Sequence, residues 1–319
     1  MDMKKLILDL DTGVDDTLAI AYALGSPEVE LIGITGTYGN VLMEQGVRNA
    51  LAITDILGHP EVPVYKGLPH ASTKDGFEVL PISAFIHGEN GIGDVEIPDS
   101  GRDAQDGGVD FIVDAVKTYG KDLIIVPTGP QTNVAAAIRK APEIVDEVGR
   151  IVLMGGALTV PGNVNAWTEA NISQDPDAAN FVFRSGVPAT MVGLDVTLQT
   201  LLTYKETRRW RDLGTAAGKA LADITDFYIK AYETTAPHLG GCGLHDPLAV
   251  GVAVDPTLVT CLPINMKVDV DGPTRGRTIG DEQRLNDPVK TMEAAVQVDV
   301  DRFLDEFMTR ISNLAAAAK

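Results

Sequence analysis

Leu6-Ile7-Leu8-Asp9-Leu10-Asp11-Thr12-Gly13-Val14-Asp15-Asp16 is an apolar run that passes straight into four carboxylates and a glycine. The continuous apolar start predicts a parallel strand buried on both faces, and Gly13 supplies the turn out of it. Leu18, Ala19, Ala21, Tyr22 and Leu24 then recur at near-helical spacing. A helix is therefore expected at once, with Asp15 and Asp16 in its first turn, where the helix dipole favours negative charge. Capping accounts for one or two acids. It does not account for Asp9, Asp11, Asp15 and Asp16 converging, where mutual repulsion is destabilising. A bound cation relieves that repulsion, and carboxylates without nearby Cys or His select Ca2+ or Mg2+ over Zn2+.

Further apolar runs follow at Leu31–Thr35, Val62–Tyr65, Leu123–Val126, Ile151–Met154 and Ala189–Val192, with helical segments between them. This alternation predicts an α/β, Rossmann-like fold: a mostly parallel central sheet with helices on both faces and a site at the carboxyl ends of the strands. The residues after each run are accordingly polar or glycine-rich: Gly36-Thr37-Tyr38-Gly39-Asn40, Thr128-Gly129-Pro130-Gln131-Thr132-Asn133, and Gly155-Gly156 followed by the loop Gly162–Asn171. That last loop carries amides, one acid and an indole, which suits a polyhydroxylated ligand. Residues 67–108 read as a long functional loop. Residues 204–236 read as helical, with Tyr228 and Tyr232 packed on one face. Residues 258–280 are expected to be paired strands around a Gly272-Pro273 turn, and residues 293–318 a closing helix. Neither an internal repeat nor a linker is evident, so a single domain over 1–319 is expected.

The 45 acidic residues against 26 basic give a formal charge of -19, which argues against nucleic acid or an anionic membrane as partner. Cys242 and Cys261, the only cysteines, are too few for a disulfide framework. The first strand begins within five residues of Met1 and no run is long enough to span a bilayer, so the expected location is cytoplasmic.

Taken together, the Asp-rich start, Asn40, Thr128–Asn133, Met154-Gly155-Gly156, Gly162-Asn163-Val164 with Glu169 and Asn171, Asp175-Pro176, and His245-Asp246-Pro247 resemble the inosine-uridine-preferring nucleoside hydrolases in order and spacing. The family opening Asp-Thr-Asp-Pro-Gly-x-Asp-Asp appears here with Leu10 and Thr12 in place of its threonine and proline. The resemblance implies a Ca2+ held by Asp11, Asp15, Asp16, Asp246 and the carbonyl of Thr128. It implies hydrolysis of a ribonucleoside to ribose and a free purine or pyrimidine base, with Asp11 as general base toward water. Asn40, Met154, Asn163, Glu169, Asn171 and Asp15 are the implied substrate contacts. His245 is the favoured acid for the leaving base, with His87 in a secondary role. Trp167, Phe227, Tyr228 and Tyr232 are candidates for stacking on the base, with core packing at least as good a reading. A homodimer or homotetramer is implied by the resemblance alone.

Two other readings compete. Asp9-Leu10-Asp11 resembles the opening of an aspartate-nucleophile phosphatase of the haloacid dehalogenase type, with Gly280-Asp281-Glu282 a partial match to its later acidic pair. A non-catalytic nucleoside or sugar binder on the same scaffold is the second, since a fold alone does not prove activity.

Overall fold

Along β1 (Lys4–Leu10) the side chains divide between two cores: Leu6, Leu8 and Leu10 enter one, and Ile7 enters the other. The same alternation holds in β4 (Leu123–Pro127) and β5 (Arg150–Met154), where Ile124, Val126, Val152 and Met154 face the first core and Leu123, Ile125, Ile151 and Leu153 the second. Strands buried on both faces need helices on both faces. Helices Val14–Leu24, Met43–Ile56, Ala216–Thr235, His245–Val254 and Val300–Ala317 cover one side. Helices Gly108–Tyr119, Thr132–Lys140 and Pro176–Arg184 cover the other. Each fully buried aliphatic side chain in these layers contributes about 1.5–3 kcal/mol of transfer free energy.

The computed structural model describes residues 3–318. The remaining strands are β2 (Val29–Gly36), β3 (Val64–Lys66), β6 (Ala189–Val192), β7 (Leu201–Leu202), β8 (Cys242–Gly243), β9 (Val259–Pro263), β10 (Met266–Val268), β11 (Thr278–Gly280) and β12 (Met292–Val298). Eight of the twelve strands among the described residues form one sheet in the order β3-β2-β1-β4-β5-β6-β12-β9. All its pairings are parallel except β12 with β9 at the edge. The predicted α/β architecture is therefore the observed one. None of the helices among the described residues is long and apolar enough to cross a membrane.

Three local expectations are corrected. The segment 293–318 is not helical throughout, because its first part is β12, which fills the slot between β6 and β9 before the helix begins at Val300. Residues 258–280 do contain an antiparallel ribbon, β10 with β11, and Gly272 lies in its turn at φ +73°. β9, however, leaves this ribbon and joins the main sheet. The long segment 67–108 carries a short helix, Pro81–His87, whose last residue turns inward and is buried.

Candidate active site

The parallel strands deliver their following loops to one edge of the sheet, and helices Val14–Leu24 and His245–Val254 begin there. Asp15 and Asp16 lie in the first turn of the former and Asp246 in that of the latter. Carboxylate oxygens of these three buried residues come within 4.8 Å of one another. Two helix N-termini partly offset the assembled negative charge.

Asp11, just beyond the end of β1, stands beside this trio. Its Oδ2 accepts the Asn40 backbone N–H at 2.7 Å and its Oδ1 accepts Asn40 Nδ2 at 3.2 Å. The Asn40 amide also reaches Asp16 Oδ2 at 3.3 Å. Asp16 Oδ2 caps the Gly13 N–H at 2.8 Å, and its Oδ1 accepts the Thr128 hydroxyl at 2.6 Å. Gly39, at φ +153°, has no room for a side chain, since a Cβ would lie 2.0 Å from Asp11 Oδ2.

Burial, and then the charge of Asp16, raise the Asp11 pKa well above the ordinary carboxylate range. The same two causes raise Asp15 to about 7, and burial followed by the charge of Asp15 raises Asp246. Asp15 Oδ2 accepts the Tyr228 hydroxyl at 3.3 Å, while its Oδ1 is buried without a partner. A carboxylate oxygen buried unpaired among like charges is costly unless a cation meets it. The all-oxygen donor set of Asp11, Asp15, Asp16 and Asp246, with the carbonyl of Thr128 adjoining, thus fits a hard divalent ion.

Asp9 does not converge with the other acids. It points with Ile7 toward the second core, where Oδ1 accepts the Thr35 hydroxyl at 2.6 Å and Asn133 Nδ2 at 2.8 Å. This buried, bonded carboxylate is no exposed nucleophile. Asp281 is likewise engaged, with Arg284 and Arg184. The phosphatase reading loses both its motifs.

The residues expected to meet the substrate fall into two groups. Asn171 is central: its Nδ2 donates to the Thr128 carbonyl at 2.6 Å and to the Met154 carbonyl at 3.2 Å. Glu169 is buried near Asp246, its carboxylate accepting backbone N–H groups of Gly156, Asn171 and Ile172 as the cap of helix Ala170–Gln174. Asn163 is exposed and its Oδ1 accepts the Ala170 N–H. Trp167 is also on the surface. Phe227 packs against Gly93, whose φ is +68°.

His87 and His245 are both buried near the acids. His87 Nδ1 accepts the Val14 backbone N–H at 3.2 Å, which leaves its proton on Nε2. Desolvation lowers its pKa to about 3, so its 3.9 Å approach to Asp15 is not an ion pair at neutral pH. His245 lies between the Thr197 hydroxyl on Nδ1 and the Tyr232 hydroxyl on Nε2, each at 2.7 Å, and burial lowers its pKa to about 4. Tyr228 and Tyr232 do pack, as their spacing suggests, with ring centroids 4.9 Å apart. Their hydroxyls nevertheless reach Asp15 and His245, which the spacing did not indicate.

Gly13 holds this edge together. A Cβ there would sit 2.6 Å from His87 Nδ1 and 2.8 Å from Asn40 Nδ2. Gly13→Ala is expected to displace both side chains while leaving the helix in place, because φ -94° suits alanine. A fall in kcat/KM of roughly 10²-fold is expected, the scale of an ångström misplacement. Steady-state kinetics beside a thermal melt check it, and unchanged kcat/KM counts against the placement of these groups at the reaction centre.

This geometry could hold a metal ion at the carboxyl edge of the sheet, and the comparisons with known proteins supply the class. Residues 6–305 match the inosine-uridine preferring nucleoside hydrolases, and the chain belongs to that family, whose members hydrolyse ribonucleosides at the N-glycosidic bond. A structure of a purine-preferring ribonucleoside hydrolase from Gardnerella vaginalis is 83% identical, superposes with a TM-score of 0.98, and covers 99% of this chain and 100% of its own. An inosine-uridine preferring nucleoside hydrolase of Leishmania major is 38% identical over 304 residues, 94% of this chain and 95% of that protein. A pyrimidine-specific ribonucleoside hydrolase, RihA, of Shigella boydii is 34% identical over 96% of this chain and 97% of its own.

Proposed function

We propose that the chain is a Ca2+-dependent ribonucleoside hydrolase with a preference for purine bases. The observation that carries the preference is the 83% identity, over 99% of the chain, to the purine-preferring enzyme, against 34% to the pyrimidine-specific one.

In this reading Asp11, Asp15, Asp16, Asp246 and the Thr128 carbonyl hold the ion. Bound there, it offsets the carboxylate charge and supplies Lewis acidity toward water. Asp11 takes the proton of the attacking water. The two Asn40 donors fix the direction of its oxygens. Asn40, Asn171, Asp15 and the Met154 backbone face the ribose. Glu169 and Asn163 order the segment that carries Asn171. As the N-glycosidic bond breaks, its electron pair passes to the base nitrogen. His245 and His87, both neutral near pH 7, act as N–H donors toward that developing charge rather than as imidazolium acids.

The family resemblance adds a homodimer or homotetramer, which light scattering tests. For the activity, ribose release from inosine, guanosine, adenosine, uridine and cytidine is measured with and without a calcium chelator. Chelator-sensitive release with inosine or guanosine ahead of uridine is expected. Uridine or cytidine hydrolysed fastest would overturn the base preference, and nucleoside binding without any ribose release would support the non-catalytic reading.

A further inference from the structure

The hydrogen bond on the far side of the His245 ring belongs to neither the acidic cluster nor the substrate contacts. Thr197 ends the short helix Leu194–Thr197 after β6 and is fully buried. Its hydroxyl lies 2.7 Å from His245 Nδ1, and among the described residues this is the one hydrogen bond its side chain makes. The turn that carries it is firmly seated. Asp195 accepts the Leu158 and Thr159 backbone N–H groups and the Thr159 hydroxyl, and Thr197 N–H donates to the Gly193 carbonyl at 3.1 Å. The backbone leading to His245 is tied to the same segment, since Leu244 N–H donates to the Thr200 carbonyl at 2.8 Å. Main chain and ring of the histidine are therefore both referenced to residues 194–200.

The direction of the Thr197–His245 bond follows from accounting for hydrogens. If Nδ1–H donated to Thr197, the buried hydroxyl hydrogen would have no acceptor. If the hydroxyl donates to Nδ1, its hydrogen is satisfied and the imidazole proton resides on Nε2. Nε2 faces the Tyr232 hydroxyl at 2.7 Å, on the side of the ring turned toward Tyr228 and Asp15.

We infer that Thr197 is a positioning residue for the hydrolysis: its hydroxyl holds His245 in the Nε2–H tautomer, so that the ring presents a donor to the leaving base. The inference rests on the reading of His245 as the group that serves the base. Without the hydroxyl, the proton can move to Nδ1, and Nε2 becomes an acceptor from Tyr232. The donor is then lost although the ring is still present.

The test compares Thr197→Val, Thr197→Ser and His245→Ala on inosine and on p-nitrophenyl riboside, whose leaving group needs little help from a donor. Thr197→Val is expected to lower kcat on inosine roughly 10-fold or more, within the range of general acid–base contributions. It should leave KM and the p-nitrophenyl riboside rate within about twofold, and Thr197→Ser should restore the inosine rate. Nitrogen-15 histidine NMR, assigned by difference against His245→Ala, is expected to show a protonated Nε2 in the wild type and a shift toward Nδ1–H in Thr197→Val. A protonated Nδ1 in the wild type, or an unchanged tautomer in Thr197→Val, would overturn the inference. So would equal losses on both substrates. If His245→Ala itself impairs both substrates equally, the reading of His245 fails instead, while the NMR result still decides whether Thr197 sets the tautomer.

Discussion

Asp11→Asn is expected to reduce turnover of every ribonucleoside by on the order of 10³-fold or more, since it removes a general base that also borders the ion site. Asparagine keeps the shape of the side chain and one acceptor for the Asn40 N–H, so the loop after β2 should stay in place. The metal-free variant should melt at a higher temperature than metal-free wild type, because one of four buried, mutually repelling carboxyl groups has been neutralised. Loss of activity together with higher metal-free stability is a combination that general damage to the fold does not produce. Wild-type turnover by this variant, or a lower metal-free melting temperature, would contradict the role given to Asp11.

The second large effect is the response of the metal-free protein to pH. A carboxyl whose pKa rises on folding holds its proton more tightly when folded. The stability it confers is complete below the unfolded value near 4 and is lost as pH rises through the folded value. For Asp15 that folded value is about 7, and Asp11 and Asp246 are also raised, first by burial and then by neighbouring carboxylates. The histidines act in the opposite sense. His87 and His245, lowered by burial to about 3 and about 4, make stability increase with pH only up to the unfolded histidine value near 6.5. Above pH 6.5 the carboxylates act alone, each unit of separation being worth about 1.4 kcal/mol. The melting temperature of chelated protein should therefore fall between pH 6.5 and 8, and saturating Ca2+ should reverse the fall. Binding should release protons and tighten across the same interval. A metal-free melting temperature that is flat or rising there would show that these acids are not held protonated as a group.

Much of the scaffold was legible in the sequence because parallel strands buried on both faces read as unbroken apolar runs. β1, β2, β4, β5 and β6 each overlap such a run, and the loops after β1, β2, β4 and β5 carry the predicted polar residues. β12 was not legible: Met-Glu-Ala-Ala-Val-Gln-Val is built largely from residues that favour helix, and pairing with β6 and β9 on either side overrides that preference. Within the site, Asp11, Asp15 and Asp16 could be read from one turn. Asp9 could not be separated from them, because the side to which a carboxylate turns at a strand end depends on its neighbours, here Thr35 and Asn133. Thr197 and the tyrosine hydroxyls left no local signal. Thr197 meets His245 across 48 residues and Tyr228 meets Asp15 across 213, and no periodicity reports such meetings.

Helix Ala216–Thr235 carries both tyrosines, whereas the acids and Asn171 are fixed to the sheet edge or to helices that start there. The site is thus built in two modules with separate supports. In the proposed mechanism one holds the sugar and the water, and is expected to tolerate little change. The other borders it through two hydroxyls on a single helix, whose buried face belongs to the first core and whose exposed positions, such as Lys230 and Glu233–Thr235, can be exchanged without disturbing it. A library at the accessible positions of residues 226–235 that keeps Tyr228 and Tyr232 is therefore the economical route to altered base selectivity, since it leaves the groups bonded to Asp15 and His245 in place.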